Sequence, residues 1–167
     1  MTTESSAEST TDVHAAAHIH VAAHVHAAAA DDVQLAADAL VAAFAEGRLD
    51  DYFAAFAPDA TFLFHSTQQR LTSVADYRAL WQSWVDQDGF RVLSCRSSRP
   101  LIQIFGATAV FSHEVETRIS THGGQETAKE RETIVFQLTP GQRSPDRWLA
   151  VHEHLSPAAP PSADRPA

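Results

Sequence analysis

The spacing of hydrophobic positions changes part-way along the chain. Val33, Ala36, Ala37, Leu40, Val41 and Phe44 follow the i, i+3, i+4 pattern of a helix with one apolar stripe. Asp31-Asp32 offers an N-cap before that stripe and Gly47 a stop after it. A short second helix is predicted over Asp50–Phe56, ending before Pro58. A third runs from Thr72 or Ser73 to about Val85, with Val74, Tyr77, Leu80, Trp81 and Trp84 on its apolar face. Between them, Ala60–His65 is aromatic and β-branched and reads as a strand.

Beyond the Asp88-Gly89 turn signal the period shortens to that of strands. These are predicted over about Phe90–Ser97, Pro100–Phe105, Ala109–Thr121, Glu126–Thr139 and Arg147–Leu155. Gly106, Gly123-Gly124 and Thr139-Pro140-Gly141 separate the later ones. Helices segregated ahead of antiparallel strands make an α+β domain, expected over residues 31–156. A long sheet with its helices on one side is expected to curve around them and to leave a cavity at one end.

Composition sets the limits of that domain. Residues 1–30 begin with a Ser, Thr and Glu stretch and continue as His, Ala, Val and Ile alone, which predicts a disordered, low-complexity tail. Residues 157–167 hold four prolines and are expected to be disordered too. His14/His18 and His20/His24 have i,i+4 spacing, which puts imidazole pairs on one face of any helix there. Metal binding through this tail, with His26 nearby, is therefore an alternative function, although no carboxylate or thiol completes a closed site.

Charge and cysteine usage exclude several classes. The 167-residue chain carries 21 acids against 12 bases, a net charge of −9, which repels phosphate backbones and argues against nucleic-acid binding. No stretch reaches the length of apolar residues that a membrane span needs, and the first residues lack the basic and apolar regions of a signal peptide. Cys95 is the only cysteine, so no intrachain disulfide forms, and a reducing, cytoplasmic location is expected.

Several segments together resemble a known superfamily. Glu46-Gly47-Arg48-Leu49-Asp50 between two helices, then Pro58-Asp59-Ala60-Thr61-Phe62, looks like the opening of the NTF2-like (nuclear transport factor 2) superfamily. Three later runs resemble its SnoaL-like branch: Thr121–Gly124, Lys129–Phe136, and Arg147–Ser156 with its Trp-x-x-Val-His-x-His-x-Ser pattern. They are similar in particular to the association (hub) domain of calcium/calmodulin-dependent kinase II and its bacterial relatives. The resemblance implies an NTF2-like cone, in which a curved antiparallel sheet packs on three N-terminal helices, and a homodimer through the outer face of the sheet. Family members include isomerases, cyclases, dehydratases, inert binders and hubs, so the fold by itself does not choose a function. Leu40 and Phe64 stand where similar ketosteroid isomerases carry their oxyanion Tyr and general-base Asp, which argues against steroid-type proton transfer. Val115 and Glu126 stand where the hub pocket carries arginines, which argues against carboxylate binding of that kind.

Strand alternation selects the candidate chemistry. Phe111, His113, Val115, Thr117 and Ile119 share the more apolar face, so His113 and Phe111 are expected to point inward. Trp148, Ala150, His152 and His154 share one face of the last strand, and Leu149, Val151, Glu153 and Leu155 the other. Both faces are partly apolar, so pattern alone leaves open whether His152 and His154 meet a ligand or a partner subunit. Glu130 and Glu132 share a face: Glu130 is expected on a solvated, ion-paired surface, and Glu132 nearer the core as a partner for a His. His113, His152 and Glu132 are the catalytic candidates; Tyr52, His65, Trp81, Trp84, Phe111 and His154 are the pocket candidates. His152-x-His154 is the best-placed ligand pair, but nothing completes a metal site around it, and no metal or other cofactor is expected. The resulting expectation is a small-molecule-binding SnoaL-like protein, of isomerase, cyclase or dehydratase type if it is an enzyme, acting on an apolar ligand. The alternatives are a non-catalytic dimerisation or hub module and the His-rich tail as a metal binder.

Overall fold

The computed structural model describes residues 28–141 and 145–158. The expectations for the His-rich tail, His14 to His26, fall outside these residues, as do those for residues 159–167. Helix α1 occupies residues 28–45, α2 Leu49–Ala54 and α3 Val74–Asp88. The strands are β1 Phe56–Phe64, β2 Arg91–Phe105, β3 Thr108–Thr121, β4 Gly124–Thr139 and β5 Arg147–Pro157. Among the described residues, no helix is long and apolar enough to cross a membrane.

Local chemistry explains most boundaries. α1 is already helical at residue 28, so Asp31-Asp32 lies inside it rather than capping it. It buries Val33, Ala37 and Leu40, the predicted stripe. Ser73 caps α3, its Oγ accepting from the Asp76 backbone N–H at 3.0 Å, while Asp76 accepts from the Thr72 hydroxyl at 3.1 Å. Gly89 ends that helix in the left-handed conformation, φ +64°. Pro58 lies within β1 and Pro100 within β2. Both are the outer strands of the sheet, where a missing backbone N–H is tolerated. The two strands predicted on either side of Pro100 are therefore one, with a register irregularity between Ser98 and Leu101 and Arg99 at φ 55°.

The sheet order is β1-β5-β4-β3-β2. β2 to β5 are antiparallel neighbours, but β1 lies parallel to β5. The sheet is thus mixed, and it is neither curled round nor closed, with β1 and β2 as its two edges. This corrects the expected cone on a curved, wholly antiparallel sheet. The physical reason lies in connectivity. Two-residue turns force antiparallel pairing of β2 with β3 and of β3 with β4, whereas β1 reaches β5 with α3 and three strands between them in sequence, so no turn dictates its direction.

One irregularity decides which side chains face the core. The β4–β5 register slips so that Phe136 pairs with Ala150 and Val135 with His152, leaving Val151 as an extra residue. Trp148 and Ala150 are buried before this bulge and Glu153 after it, so alternation resumes one residue out of step. The inner face of the sheet then holds Phe62, Phe111, His113, Ile134, Phe136 and Glu153, all buried. Opposite it, Tyr52, Phe53, Tyr77 and Trp81 from α2 and α3 form an edge-to-face aromatic cluster, for example Phe53–Tyr77 with centroids 5.2 Å apart at 82°.

Candidate functional site

Between the helices and the inner face of the sheet is a cavity of about 330 Å³. Tyr52, Tyr77, Trp81, Trp84 and Phe90 line its helical side. Cys95, Val115 and Thr117, with Glu126, Glu130, Glu132 and Glu153, line its sheet side. Tyr52, His65, Trp81, Trp84 and Glu132, five of the residues chosen from sequence, are among the lining residues. His113, Phe111, His152 and His154 are not.

His113 lies behind the cavity wall, with no exposed side-chain surface. It pairs with Glu132 across the β3–β4 ladder, Nε2 meeting a Glu132 carboxylate oxygen. The Ser97 hydroxyl is 2.7 Å from Nδ1. With Nε2–H donating to Glu132, Nδ1 is left to accept from Ser97, so both ring nitrogens are satisfied without water. Phe111 packs against the same ring, centroids 4.4 Å apart. His113 therefore contacts Glu132 from outside the set of cavity-lining residues.

The bulge at Val151 sets which side chains of the closing strand face the cavity. His152 and His154 pair with Thr61 and Leu63 of β1 on the face away from the cavity. The His152 ring is 2.8 Å from the Thr61 hydroxyl, and its pKa is lowered, by burial first and by His154 next. The residue that the bulge turns inward is Glu153, which periodicity placed opposite the histidines but did not single out. One signal was available: Glu153 is the only charged residue among Leu149, Val151, Glu153 and Leu155.

Glu153 is 3% exposed and accepts a hydrogen bond from the Tyr52 hydroxyl at 3.2 Å. The Tyr77 hydroxyl lies 3.5 Å from that of Tyr52. Burial, and then the negative charge of Glu132, push the Glu153 pKa well above the ordinary carboxyl range. Burial, followed by Glu153, likewise raises both phenols, so they remain hydrogen-bond donors. Glu153 thus holds its proton more tightly than an exposed glutamate does.

Nearer the rim, His65 Nε2 is 2.5 Å from Glu130 Oε1. Glu130 lines the cavity and its side chain is only 13% exposed, so it is not the solvated surface residue expected. Lys129, on the other face, makes a surface ion pair to Glu116 at 3.2 Å. The Cys95 thiol borders the cavity and is pushed up to about 11 by burial, which makes it a poor nucleophile at neutral pH. Among the described residues, no three His, Cys, Asp or Glu side chains are grouped so as to hold a metal ion.

The SnoaL-like domain family model matches residues 33–160, which span every strand and most of α1. The chain belongs to the SnoaL-like family. The NTF2-like fold assignment extends to solved structures. An NTF2-like protein of unknown function in nutrient uptake from Rhodospirillum rubrum is 20% identical, with a TM-score of 0.65 over 76% of this chain and 98% of that one. The calcium/calmodulin-dependent kinase II hub of S. rosetta is 22% identical, with a TM-score of 0.60 over 77% and 95%. A Catenulispora acidiphila protein in complex with S-DNPA is 13% identical, with a TM-score of 0.63 over 77% and 92%. At these identities the likeness is one of fold. No curated protein matches the chain. Leu40, Phe64, Val115 and Glu126, the four positions that depart from the isomerase and hub patterns, all line the cavity of this SnoaL-like chain.

Proposed function

We propose that this SnoaL-like protein holds a small, largely apolar ligand in the cavity and moves protons on it through Glu153 and Glu132. The observation that carries the reading is a buried carboxyl pair on one wall of a mostly apolar cavity, one member of which has its pKa pushed up by burial. Two carboxyls whose surroundings push them apart can divide the roles of acid and base. Glu153 gives a proton and is backed by the Tyr52 hydroxyl; Glu132 takes one and is oriented by His113. A proton removed at one ligand atom and returned at another balances in an isomerisation, and the same pair serves a cyclisation or a dehydration. His152, the other sequence candidate, has no part in this scheme. That the Catenulispora acidiphila fold relative is in complex with S-DNPA is in keeping with a ligand role.

The test begins with a thermal-shift screen of small aromatic and polyketide-like compounds. Binders are then incubated in D₂O, and deuterium uptake is followed by mass spectrometry. The expected result is uptake that falls about a hundredfold or more in Glu132→Gln, the range lost with a general base. Binding without uptake for every binder would leave a carrier and remove the catalytic role.

A second reading, a pairing module, is favoured by the exposed apolar residues Leu63, Leu101 and Phe105 at 41%, 57% and 62%. Their strand partners place them on the outer face of the sheet, where a second copy of the chain is proposed to pack. Light scattering on the full chain and on Phe105→Glu tests this: a monomer in both rejects it.

A further inference from the structure

The proposed acid/base role concerns the inner end of the cavity; the rest of its wall speaks to the kind of ligand. Five carboxyl side chains line it: Asp88, Glu126, Glu130, Glu132 and Glu153. Among the described residues, no Lys or Arg does, although the chain has 12 of them. Three of the acids occupy alternate positions of β4, so they lie on one face and run from exposed Glu126 through half-buried Glu130 to buried Glu132.

Their partners differ along this row. Glu132 is paired with His113, Glu130 with His65, and Glu153 with Tyr52. At the mouth, neither Glu126 nor Asp88 has a side-chain partner among the described residues. Asp88 reaches the mouth because it is the last residue of α3, and Glu126 because it pairs with Ile119 near the end of β3. Facing these acids are Trp81, Trp84 and Phe90, packed together with Trp81–Phe90 centroids 5.2 Å and Trp84–Phe90 centroids 5.6 Å apart. Aromatic walls and uncompensated carboxylates together attract an organic cation, through the ring quadrupoles and through charge. The same wall disfavours a carboxylate or phosphate ligand, which meets no Lys or Arg among the described lining residues.

We infer that the ligand of this cavity is a small aromatic or alkyl ammonium, its apolar body against Trp81, Trp84 and Phe90 and its cationic head on Glu126 and Asp88 at the mouth. The inference rests on the cavity being the ligand site, as proposed above, and adds the class of ligand. A volume of about 330 Å³ suits a molecule of one or two rings, being at the small end of ligand pockets.

The test compares matched compounds that differ only in the head group, by calorimetry on the full chain at neutral pH. One set is tryptamine, tryptophol and indole-3-acetate; a second is phenethylamine, phenylethanol and phenylacetate. The amine of each set is expected to bind about tenfold or more tighter than the alcohol, with the acid weakest. Glu126→Gln should reduce the preference for amine over alcohol severalfold and leave alcohol binding and thermal stability as they were. Glu126 is exposed, so the substitution leaves the core packing as it was, and the alcohol serves as the internal control. Equal affinity for amine and alcohol, or a preference for the acid, overturns the inference while leaving the cavity as a ligand site. No binding by any of the six at millimolar concentration overturns both the inference and the ligand reading.

Discussion

Glu132 and Glu153 open into one cavity from adjacent strands, and Glu153 does so because Val151 is an unpaired bulge residue that shifts the rest of β5 by one position. A regular strand would carry Trp148, Ala150, His152 and His154 on one face and turn Glu153 to the other. The bulge therefore exchanges imidazoles for a carboxyl on the cavity wall.

The raised pKa of Glu153 predicts a pH dependence of stability. The folded chain holds this proton more tightly than the unfolded chain, through burial first and Glu132 second. The contribution is fully present below the ordinary value of 4.5 and declines as pH rises through the raised folded value. His152 acts in the opposite direction: its lowered pKa means that stability present above 6.5 is lost as pH falls. Glu153→Gln keeps the shape and removes only the first effect. Urea denaturation at about pH 5 and about pH 8 should show wild type losing more stability toward the higher pH than the variant does. Parallel losses in the two proteins would count against a protonated Glu153.

His113 supports Glu132 from behind, and its removal should be costly. His113→Ala leaves a buried carboxyl without its partner and a void beside Phe111. The expected loss is about 3 kcal/mol or more, since breaking a buried pair strands the remaining group. Ser97→Ala removes only the hydroxyl at Nδ1 and should cost about 1 kcal/mol. Equilibrium urea unfolding of both variants measures the order, and equal small losses would mean that Glu132 has another partner.

Gly89 joins α3 to the sheet at a place with no room for a side chain. A Cβ there would come within 2.6 Å of the His122 ring, and the residue has φ +64°. Gly89→Ala should lower stability by about 2 kcal/mol, combining left-handed backbone strain with the clash. Adding His122→Ala should recover the steric part alone, so the double variant stays below wild type by about 1 kcal/mol. Full recovery in thermal denaturation would show that the backbone conformation relaxes.

Much of the helical half was legible because its signals are local. The stripe from Val33 to Phe44, the Ser73 cap and the Gly89 stop depend on residues a few positions apart. The inward face of β3 was equally legible, as alternation from Phe111 to Thr117 runs without interruption. Tyr52, Trp81, Trp84 and Glu132 reached the cavity because helix stripes and the alternation of β4 project them there, whereas His65 reaches it from the turn after β1. Glu153 was missed because a bulge leaves no mark on residue spacing.

The sequence by itself determined most of the elements, the apolar faces of the helices and of β3, and membership of the SnoaL-like family, since each is written in periodicity or in contiguous motifs. Only the tertiary structure decided that β1 lies parallel to β5 in an open, mixed sheet, and that the closing strand offers Glu153 rather than His152 and His154 to the cavity. Strand direction and register are settled by backbone hydrogen bonding between segments distant in the chain, and those bonds are made by groups that every residue shares.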